Sequence, residues 1–438
     1  MRRYTVPGGA TTVHITSGTD PLLSIPSGVT VPAWAGVRIS GSLALTADAD
    51  WTKLGTVTLG TGTAINLAGH GLALSAFAVE SGNASFNNSG DSTATLTLTG
   101  TAGTSFNNVS IGDKVKVVKS GMGDAARSTQ LVLSGATGTE LDIADGTFYE
   151  SADLVAGRNS TGTIKVSGGK VNTTGLTVAF TAGSTGVLEQ SGGEVAVSGD
   201  MVIGYWSGVG TVRQTGGKMT VGGTLNLSLA NPGEHTTGTL TQSAGEIEVA
   251  GKVRIGMAYL GDVGVGGTMT VSGGVELGNN GGTGTLCVTN GGRLVTRSFV
   301  KGSGTANILF DGGTVQATAE NANFFNTGVG TVNVALGAGG LTLETEYDLG
   351  FNATTIATGG GAIRKVGAGA LDLSGLTIEV GDGVSTSFDF ATAVAAEGGE
   401  TVGTFTGLPT VALPWKARLT NGGTCCNIYK GGFTLFIK

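Results

Sequence analysis

The sequence predicts an all-β fold, a parallel β-solenoid of stacked coils, and three observations support this prediction. Glycine supplies 81 of the 438 residues, whereas proline supplies only 7 and charged residues 13%. The residues between the glycines are mostly Thr, Val, Leu, Ala and Ile, which are common in strands. A short phrase also recurs along the chain, as expected of a repeat protein. With 39% hydrophobic residues, this composition excludes collagen and a disordered low-complexity chain.

The recurring phrase combines an alternating strand with a glycine pair. Its clear copies start at Gly162, Gly186, Gly210 and Gly238, and looser copies start at Gly267, Gly284 and Thr305. Short alternating segments between the phrases indicate about three strands per coil. A repeat of about 24 residues is too short to bury its own apolar face, so successive coils must stack.

Strand parity predicts which side chains enter the solenoid, because successive side chains point to opposite faces. The predicted inward column comprises Val115, Val117, Leu141, Ile143, Ile164, Val166, Leu188, Gln190, Val212, Gln214, Leu240 and Gln242. Buried amides require hydrogen bonds. We therefore expect Gln190, Gln214 and Gln242 to stack as a ladder inside the coils.

The outward positions of the same strands alternate in charge. One column comprises Lys116, Asp142, Lys165, Glu189 and Arg213, and a second comprises Lys170, Glu194, Lys218 and Glu246. Opposite charges one coil apart attract weakly and favour a single register. The acidic group Glu140, Asp142 and Asp145 is similar to a paired-carboxylate glycosidase site. We interpret it instead as part of these columns, with Glu140 opposite Lys114 and Asp145 in a turn.

The composition predicts two caps around the repeats. Residues 1–35 carry four of the seven prolines and lack the repeated phrase, so they are predicted to cap the first coil. Residues 36–375 are predicted to form the parallel β-helix repeats. Residues 376–438 are predicted to form a C-terminal antiparallel β-hairpin cap, with turns at Asn421-Gly-Gly and Lys430-Gly-Gly.

Charge and hydropathy bear on partners and on location. The net charge is −7 and the basic residues are scattered, so nucleic acid is not an expected partner. No apolar run approaches the roughly 20 residues of a membrane helix, so no membrane span is predicted. Arg2 and Arg3 are not followed by an apolar segment, so no signal peptide is predicted in this chain.

Histidine and cysteine are scarce, and we predict no cofactor, no metal site and no catalytic residue. The three cysteines, Cys287, Cys425 and Cys426, do not form a disulfide framework, and three histidines do not supply a zinc site. The sequence Gly69-His70-Gly71 is similar to a catalytic motif of polygalacturonases. It lacks the preceding aspartate pair, so we interpret it as a turn between two strands.

Two phrases, at residues 309–315 and 361–375, resemble the autotransporter-associated β-strand repeat of bacterial passenger domains. In the second phrase Ile363, Lys365, Gly367 and Gly369 keep that pattern, followed by Leu371, Leu373 and Gly375. The resemblance implies a right-handed parallel β-helix. It also implies a bacterial protein that is extracellular or on the cell surface, with a structural or adhesive role.

Long corners are the places where a solenoid can carry recognition. The segments 229–237 and 257–266 lengthen two consecutive coils and follow their third strands, and an aromatic pair occupies the same corner one coil earlier. We predict a patch there that contacts a glycan or a host or cell-surface partner, comprising Tyr205, Trp206, Pro232 and Tyr259.

The sequence thus favours a non-enzymatic extracellular or cell-surface structural or adhesive module. One alternative is a carbohydrate-active β-helix enzyme, either a polysaccharide hydrolase or a lyase. Another is a trimeric phage or virion fibre segment, and self-association is open. Unpaired outward carboxylates clustered on one face would favour the enzyme. An exposed apolar stripe would favour the fibre.

Overall fold

In a computed structural model the chain is built almost entirely of β-strands. The structure describes residues 12–15, 34–39, 44–47, 49–80, 82–128, 130–231, 234–289, 291–359, 361–381, 388–393, 403–411 and 414–430. These residues form two compact units. The first contains the described residues up to Gly199 together with Ser207–Val212 and Gly216–Met219, and the second contains Asp200–Trp206, Arg213–Thr215 and the residues from Thr220 onward.

The strands of the first unit are short and are separated by glycine-rich corners. They are β1 (Thr12–Ile15), β2 (Trp34–Ile39), β3 (Ala44–Thr46), β4 (Trp51–Leu59), β5 (Ala64–Asn66), β6 (Gly71–Val79), β7 (Ala84–Asn87), β8 (Ala94–Leu98), β9 (Thr104–Ser105), β10 (Val109–Ile111), β11 (Val115–Lys119), β12 (Ala125–Arg127), β13 (Leu131–Leu133), β14 (Thr139–Ile143), β15 (Thr147–Ala156), β16 (Thr161–Val166), β17 (Lys170–Val178), β18 (Thr185–Gln190) and β19 (Glu194–Val197).

The chain continues in the same manner with β20 (Met201–Tyr205), and then with β21 (Val209–Gln214) and β22 (Lys218–Val221), which include residues of both units. The remaining strands of the second unit are β23 (Leu225–Leu229), β24 (Thr237–Gln242), β25 (Glu246–Val249), β26 (Val253–Ile255), β27 (Leu260–Val265), β28 (Thr268–Val271), β29 (Val275–Leu277), β30 (Thr283–Thr289), β31 (Arg293–Thr296), β32 (Phe299–Lys301), β33 (Thr305–Asp311), β34 (Gly313–Ala317), β35 (Val332–Leu336), β36 (Leu341–Glu344), β37 (Leu349–Gly350), β38 (Thr354–Thr358), β39 (Ile363–Val366), β40 (Leu371–Asp372), β41 (Leu376–Val380), β42 (Phe388–Ala393), β43 (Phe405–Thr406), β44 (Thr410–Val411), β45 (Trp415–Thr420) and β46 (Cys425–Lys430).

Each unit is a parallel β-solenoid, which confirms the predicted fold class. In the first unit β14, β16 and β18 are the first strands of successive coils and pair in parallel. In the second unit the first strands β24, β27 and β30 pair in this way, as do the second strands β25, β28 and β31 and the third strands β23, β26 and β29. One coil therefore contains three strands, as the repeat predicts.

The inward column expected from parity is buried as predicted. All of its members, including the three glutamines, are buried. Rings add to the interior of both units: Phe77 and Phe106 lie 4.9 Å apart in the first, and Phe325 and Phe351 stack at 4.2 Å in the second. Aromatic side chains bury large areas, so these ring pairs add to the hydrophobic stabilisation of each unit.

The buried glutamine amides bond chiefly to backbone carbonyls at the corners. Gln242 Nε2 donates to Gln214 Oε1 at 3.0 Å, which is the contact expected of a ladder. Gln214 Nε2 also donates to the carbonyl of Glu246 at 3.0 Å, and Gln190 Nε2 donates to that of Lys218 at 2.9 Å. The amides thereby satisfy corner carbonyls that would otherwise be buried without a donor.

The register around β11 differs from the sequence alignment by two residues. Val117 pairs with Leu141 and Lys119 with Ile143, so Lys116 lies opposite Glu140, and the expected pairing of Glu140 with Lys114 is wrong. Lys119 is consequently buried at an inward position, where its Nζ donates to the carbonyls of Gly121 and Asp145. A slip of two residues preserves parity, and the lysine stem is apolar, so hydrophobic patterning did not exclude it.

Outward charges form ion pairs between coils, as predicted, but Lys116 lies opposite Glu140 in register and not opposite Asp142 as the alignment placed it. Lys116 Nζ lies 2.7 Å from Glu140 and 3.3 Å from Asp142. Lys170 pairs with Glu194 at 2.9 Å, and Lys165 lies opposite Glu189 in register. Asp145 Oδ1 accepts a hydrogen bond from the backbone of Gly146, as expected of a turn residue.

Parallel pairing is also present outside residues 36–375. Near the N-terminus β1 pairs with β2, and after residue 375 β41 pairs with β38 and with β44. The predicted antiparallel hairpin is confirmed: β45 and β46 pair around a 3-10 turn at Asn421–Gly423, and β42 pairs with β46. The four early prolines and the Lys430-Gly-Gly turn lie outside the described residues, and the cap boundaries stay predictions.

Cys287 and Cys425 are free thiols. Among the residues described, no helix has the length and apolar character needed to cross a membrane.

Candidate functional site

The candidate site is one corner of the second unit, where each third strand leads to the first strand of the following coil. The backbone there adopts a left-handed conformation in four successive coils, at Gly204, Ser228, Gly256 and Gly278. A Cβ at Gly256 would overlap the carbonyl oxygen of Thr283, which explains the preference for glycine. Ser228 occurs where the loop is longest, and its Oγ donates to the carbonyl of Thr236 at 2.8 Å.

Tyr205 and Trp206 form a stacked ring pair at this corner. Their ring centroids are 5.3 Å apart with an interplanar angle of 18°, and Trp206 is 46% exposed. Trp206 has φ 42° and Ser207 has φ 62°. Positive φ is rare for bulky residues and costs of order 1–3 kcal/mol, so the surrounding structure must maintain it. One restraint is the hydrogen bond from Trp206 N to the carbonyl of Leu229, at 3.3 Å.

Tyr259 forms a second ring pair with His235, two coils further along. Their centroids are 4.5 Å apart in an edge-to-face arrangement, and Tyr259 is 37% exposed. Sequence analysis did not include His235 in the predicted patch. The one feature of the sequence that pointed to His235 is its position in the longest loop of this corner. Pro232 lies outside the described residues. The structure therefore places Tyr205 with Trp206 and Tyr259 with His235, all at the same corner.

The second of the two predicted insertions is mostly a strand. Leu260–Val265 forms β27 and pairs with β24 and β30, so the loop comprises only the residues from 256 to 259. Thr268–Val271, which was aligned with first strands, pairs instead with the second strand β25. The glycines of 261–266 are typical of a loop, but Val263 and Val265 alternate as in a strand and are buried.

The other residues that sequence analysis considered for chemistry lie in a turn or in ion pairs. His70 follows β5 and precedes β6, which confirms the turn, and its Nδ1 lies 3.5 Å from Asp50 Oδ1. Glu140 and Asp142 both pair with Lys116. The described ranges contain no group of three or more His, Cys, Asp or Glu side chains that could hold a metal ion.

A buried carboxyl in the first unit was missed by sequence analysis. Glu150 occupies an inward position of β15, is 2% exposed, and lies opposite Arg127 in register. Burial raises its pKa to about 7. Its Oε1 accepts a hydrogen bond from Ala152 N at 3.2 Å, whereas Oε2 has no partner among the described residues. Because the group is enclosed by the coil, it is not accessible to a large substrate.

Comparison of the chain with known protein families, with curated proteins and with solved structures finds no match in any of the three. The fold and the corner define a β-solenoid protein that presents two aromatic ring pairs. The resemblance to the autotransporter-associated repeat stays a prediction from its motifs.

Proposed function

We propose that the protein is a non-enzymatic extracellular or cell-surface structural or adhesive β-solenoid that binds a glycan at the corner formed by Tyr205, Trp206 and Tyr259. The stacked pair of half-buried Tyr205 and exposed Trp206 carries this proposal. Flat aromatic faces offer apolar area at little entropic cost. The left-handed backbone at Trp206 supports it further, because such strained residues cluster at binding sites.

Several features favour binding over catalysis. Glycoside hydrolysis requires two available carboxyl groups about 5–9.5 Å apart. Glu140 and Asp142 share the ammonium group of Lys116, so neither is a free acid or base. Glu150 has the raised pKa of a general acid, but it lies inside the coil.

The proposed location outside the cell follows from the resemblance of residues 309–315 and 361–375 to passenger-domain repeats. A solenoid stabilised by stacking also suits the environment outside the cell, because each coil is held by hydrogen bonds and apolar contacts with its neighbours. Fractionation of a bacterial culture that expresses the native gene would test this location. Recovery only from the cytoplasm would contradict it.

A glycan array tests the binding activity. We expect the parent protein to bind at least one glycan, and W206A/Y259A to bind it at least tenfold more weakly. The matched control is Y347A, which removes a tyrosine of the second unit whose exposure (44%) lies between those of Tyr259 (37%) and Trp206 (46%), and it should bind as the parent does.

Unchanged binding by W206A/Y259A would refute the proposed site. Mass spectrometry of the bound glycan addresses the enzymatic alternative, because cleaved products would favour a hydrolase or a lyase. Sedimentation of the parent addresses the fibre alternative, for which a stable trimer is expected.

A further inference from the structure

Beside the aromatic corner, the outward face of the third strands carries a column of polar side chains. Asn226, Arg254 and Glu276 occupy equivalent positions of β23, β26 and β29 and are adjacent in register. Their strand neighbours, such as Leu227 and Ile255, are buried in the solenoid. By parity the three polar side chains point away from the core. All three belong to the second unit.

Glu276 is the centre of this column. It accepts a hydrogen bond from Arg254 Nε at 2.9 Å and from Asn279 Nδ2 at 3.3 Å, and it forms an ion pair with Lys252. Burial acts to raise the pKa of Glu276, but the hydrogen bonds from Lys252 and Arg254 outweigh it and lower the pKa below its usual value. The carboxylate therefore stays ionised and holds the guanidinium in a fixed orientation.

Arg254 has unused donors. Within the part of the chain that the structure describes, only its Nε forms a hydrogen bond, and its side chain is 35% exposed. The Nη1 and Nη2 groups form the fork that binds a carboxylate with two parallel hydrogen bonds. Two cations, Lys252 and Arg254, face the single carboxylate of Glu276, so this cluster has a net positive charge in a chain whose total is −7.

Asn226 supplies a second, independent indication of a ligand. Asn226 is only 4% exposed, and its side-chain oxygen Oδ1 is buried without a hydrogen-bond partner among the described residues. Buried amide oxygens are nearly always satisfied, so an unpartnered one beside an arginine fork requires an explanation. A hydroxyl-rich ligand held by that fork supplies the missing donor only if the side chains that enclose this oxygen move aside on binding.

The polar column is continuous with the aromatic corner. Asn279 Nδ2 contacts Met257 Sδ at 3.6 Å, and Met257 precedes Tyr259 by two residues. Five residue steps separate Arg254 from Tyr259, so their Cα atoms are at most about 17 Å apart. That span suits a short oligosaccharide.

We propose that this region binds a carboxylate-bearing saccharide, with a sugar ring on Tyr259 and the sugar carboxylate in the fork of Arg254. Glu276 is a positioning residue that aims the fork through Nε. This inference rests on the proposed glycan-binding function and adds the chemical class of the ligand.

Two acidic probes and their carboxyl methyl esters test the inference. The probes are sialyllactose and a tetrasaccharide of alternating glucuronate and N-acetylhexosamine, and affinities are measured by calorimetry at low salt. We expect the parent to bind at least one acid at least tenfold more tightly than its ester. R254Q should lose this preference for the acid over the ester, and E276Q should weaken the same preference. The matched control R364Q removes an exposed arginine of the same unit and should keep the preference.

Equal affinity of the parent for acid and ester, or undiminished acid binding by R254Q, would overturn the inference. If the parent binds the esters as tightly as the acids, or binds only neutral glycans on the array, the acidic class is wrong and glycan binding stands. If it binds no glycan in either assay, both the inference and the proposed function are wrong. Circular dichroism of R254Q and E276Q establishes that each variant is folded.

Discussion

Glu150 inside the first unit makes the stability of the protein depend on pH, and E150Q should remove this dependence. The pKa of this carboxyl is about 7, compared with an ordinary value of 4.5, and burial is the main cause. The backbone hydrogen bond from Ala152, the charge of Arg127 and the backbone hydrogen bond from Leu131 oppose the shift, and the charge of Asp153 adds to it. Each pKa unit corresponds to about 1.4 kcal/mol, so the folded protein should lose about 3 kcal/mol of stability on ionisation of Glu150.

The sign follows from linkage between protonation and folding. The folded state holds the proton of Glu150 more tightly than the unfolded state does. Stability is therefore greatest below pH 4.5 with respect to this group, falls between pH 4.5 and 7, and stays low above that range. Glutamine has nearly the same shape and no charge. E150Q should therefore match the parent at pH 4.5 and exceed it by about 3 kcal/mol at pH 8.

Urea unfolding of both proteins at pH 4.5, 6 and 8, followed by circular dichroism, measures this difference. The control is E379Q, which changes an exposed glutamate of the second unit and should show no pH-dependent difference. Equal stability of E150Q and the parent at pH 8 would refute the reasoning. So would a loss of stability in E150Q of the same size at every pH, because that result would indicate a packing role.

Three further predictions concern the coils. G256A should destabilise the protein by about 2 kcal/mol or more, because Gly256 has φ 70° and its added Cβ would overlap a backbone carbonyl. G281A should cost about 1 kcal/mol, since Gly281 has φ 81° but open space around it. Urea unfolding that finds the two variants equally stable would contradict this prediction. Q242L should lower the free energy of unfolding by about 1–3 kcal/mol, because it removes the amide that donates to Gln214 Oε1 and to corner carbonyls. A neutral or stabilising result in urea unfolding would disprove this role of Gln242. D113N should be less stable than the parent at neutral pH and equal to it well below pH 3.8. The reason is that hydrogen bonds from Thr137 and Gly138 outweigh burial and lower the pKa of Asp113. If the difference between the unfolding midpoints of D113N and the parent does not shrink on acidification, this prediction is wrong.

The sequence was sufficient for the coil and for the direction of most side chains. Gln190, Gln214 and Gln242 are polar, yet their places in an alternating strand predicted that they are buried, which the structure confirms. Parity depends only on neighbouring residues of one strand, so local pattern carries it. The same reasoning predicted the interaction between Lys170 and Glu194 one coil apart.

The candidate site was predictable in part. The corner and its residues Tyr205, Trp206 and Tyr259 followed from loop length and residue type. The contact of His235 with Tyr259 and the position of Arg254 beside Glu276 did not, because each joins residues from different coils. Whether these pairs meet depends on the lengths of the coils in that region. The sequence-based lengths were wrong there, because residues 260–265 were assigned to an insertion and form a strand.

The amino-acid sequence by itself determined the class of fold, the inward and outward faces and the chain segments at the corners, since these follow from local periodicity and glycine placement. Only the tertiary structure decided the register between coils. Lys119 enters the core and Leu260–Val265 forms a strand because the whole stack of coils, not one strand, selects among registers that share the same parity.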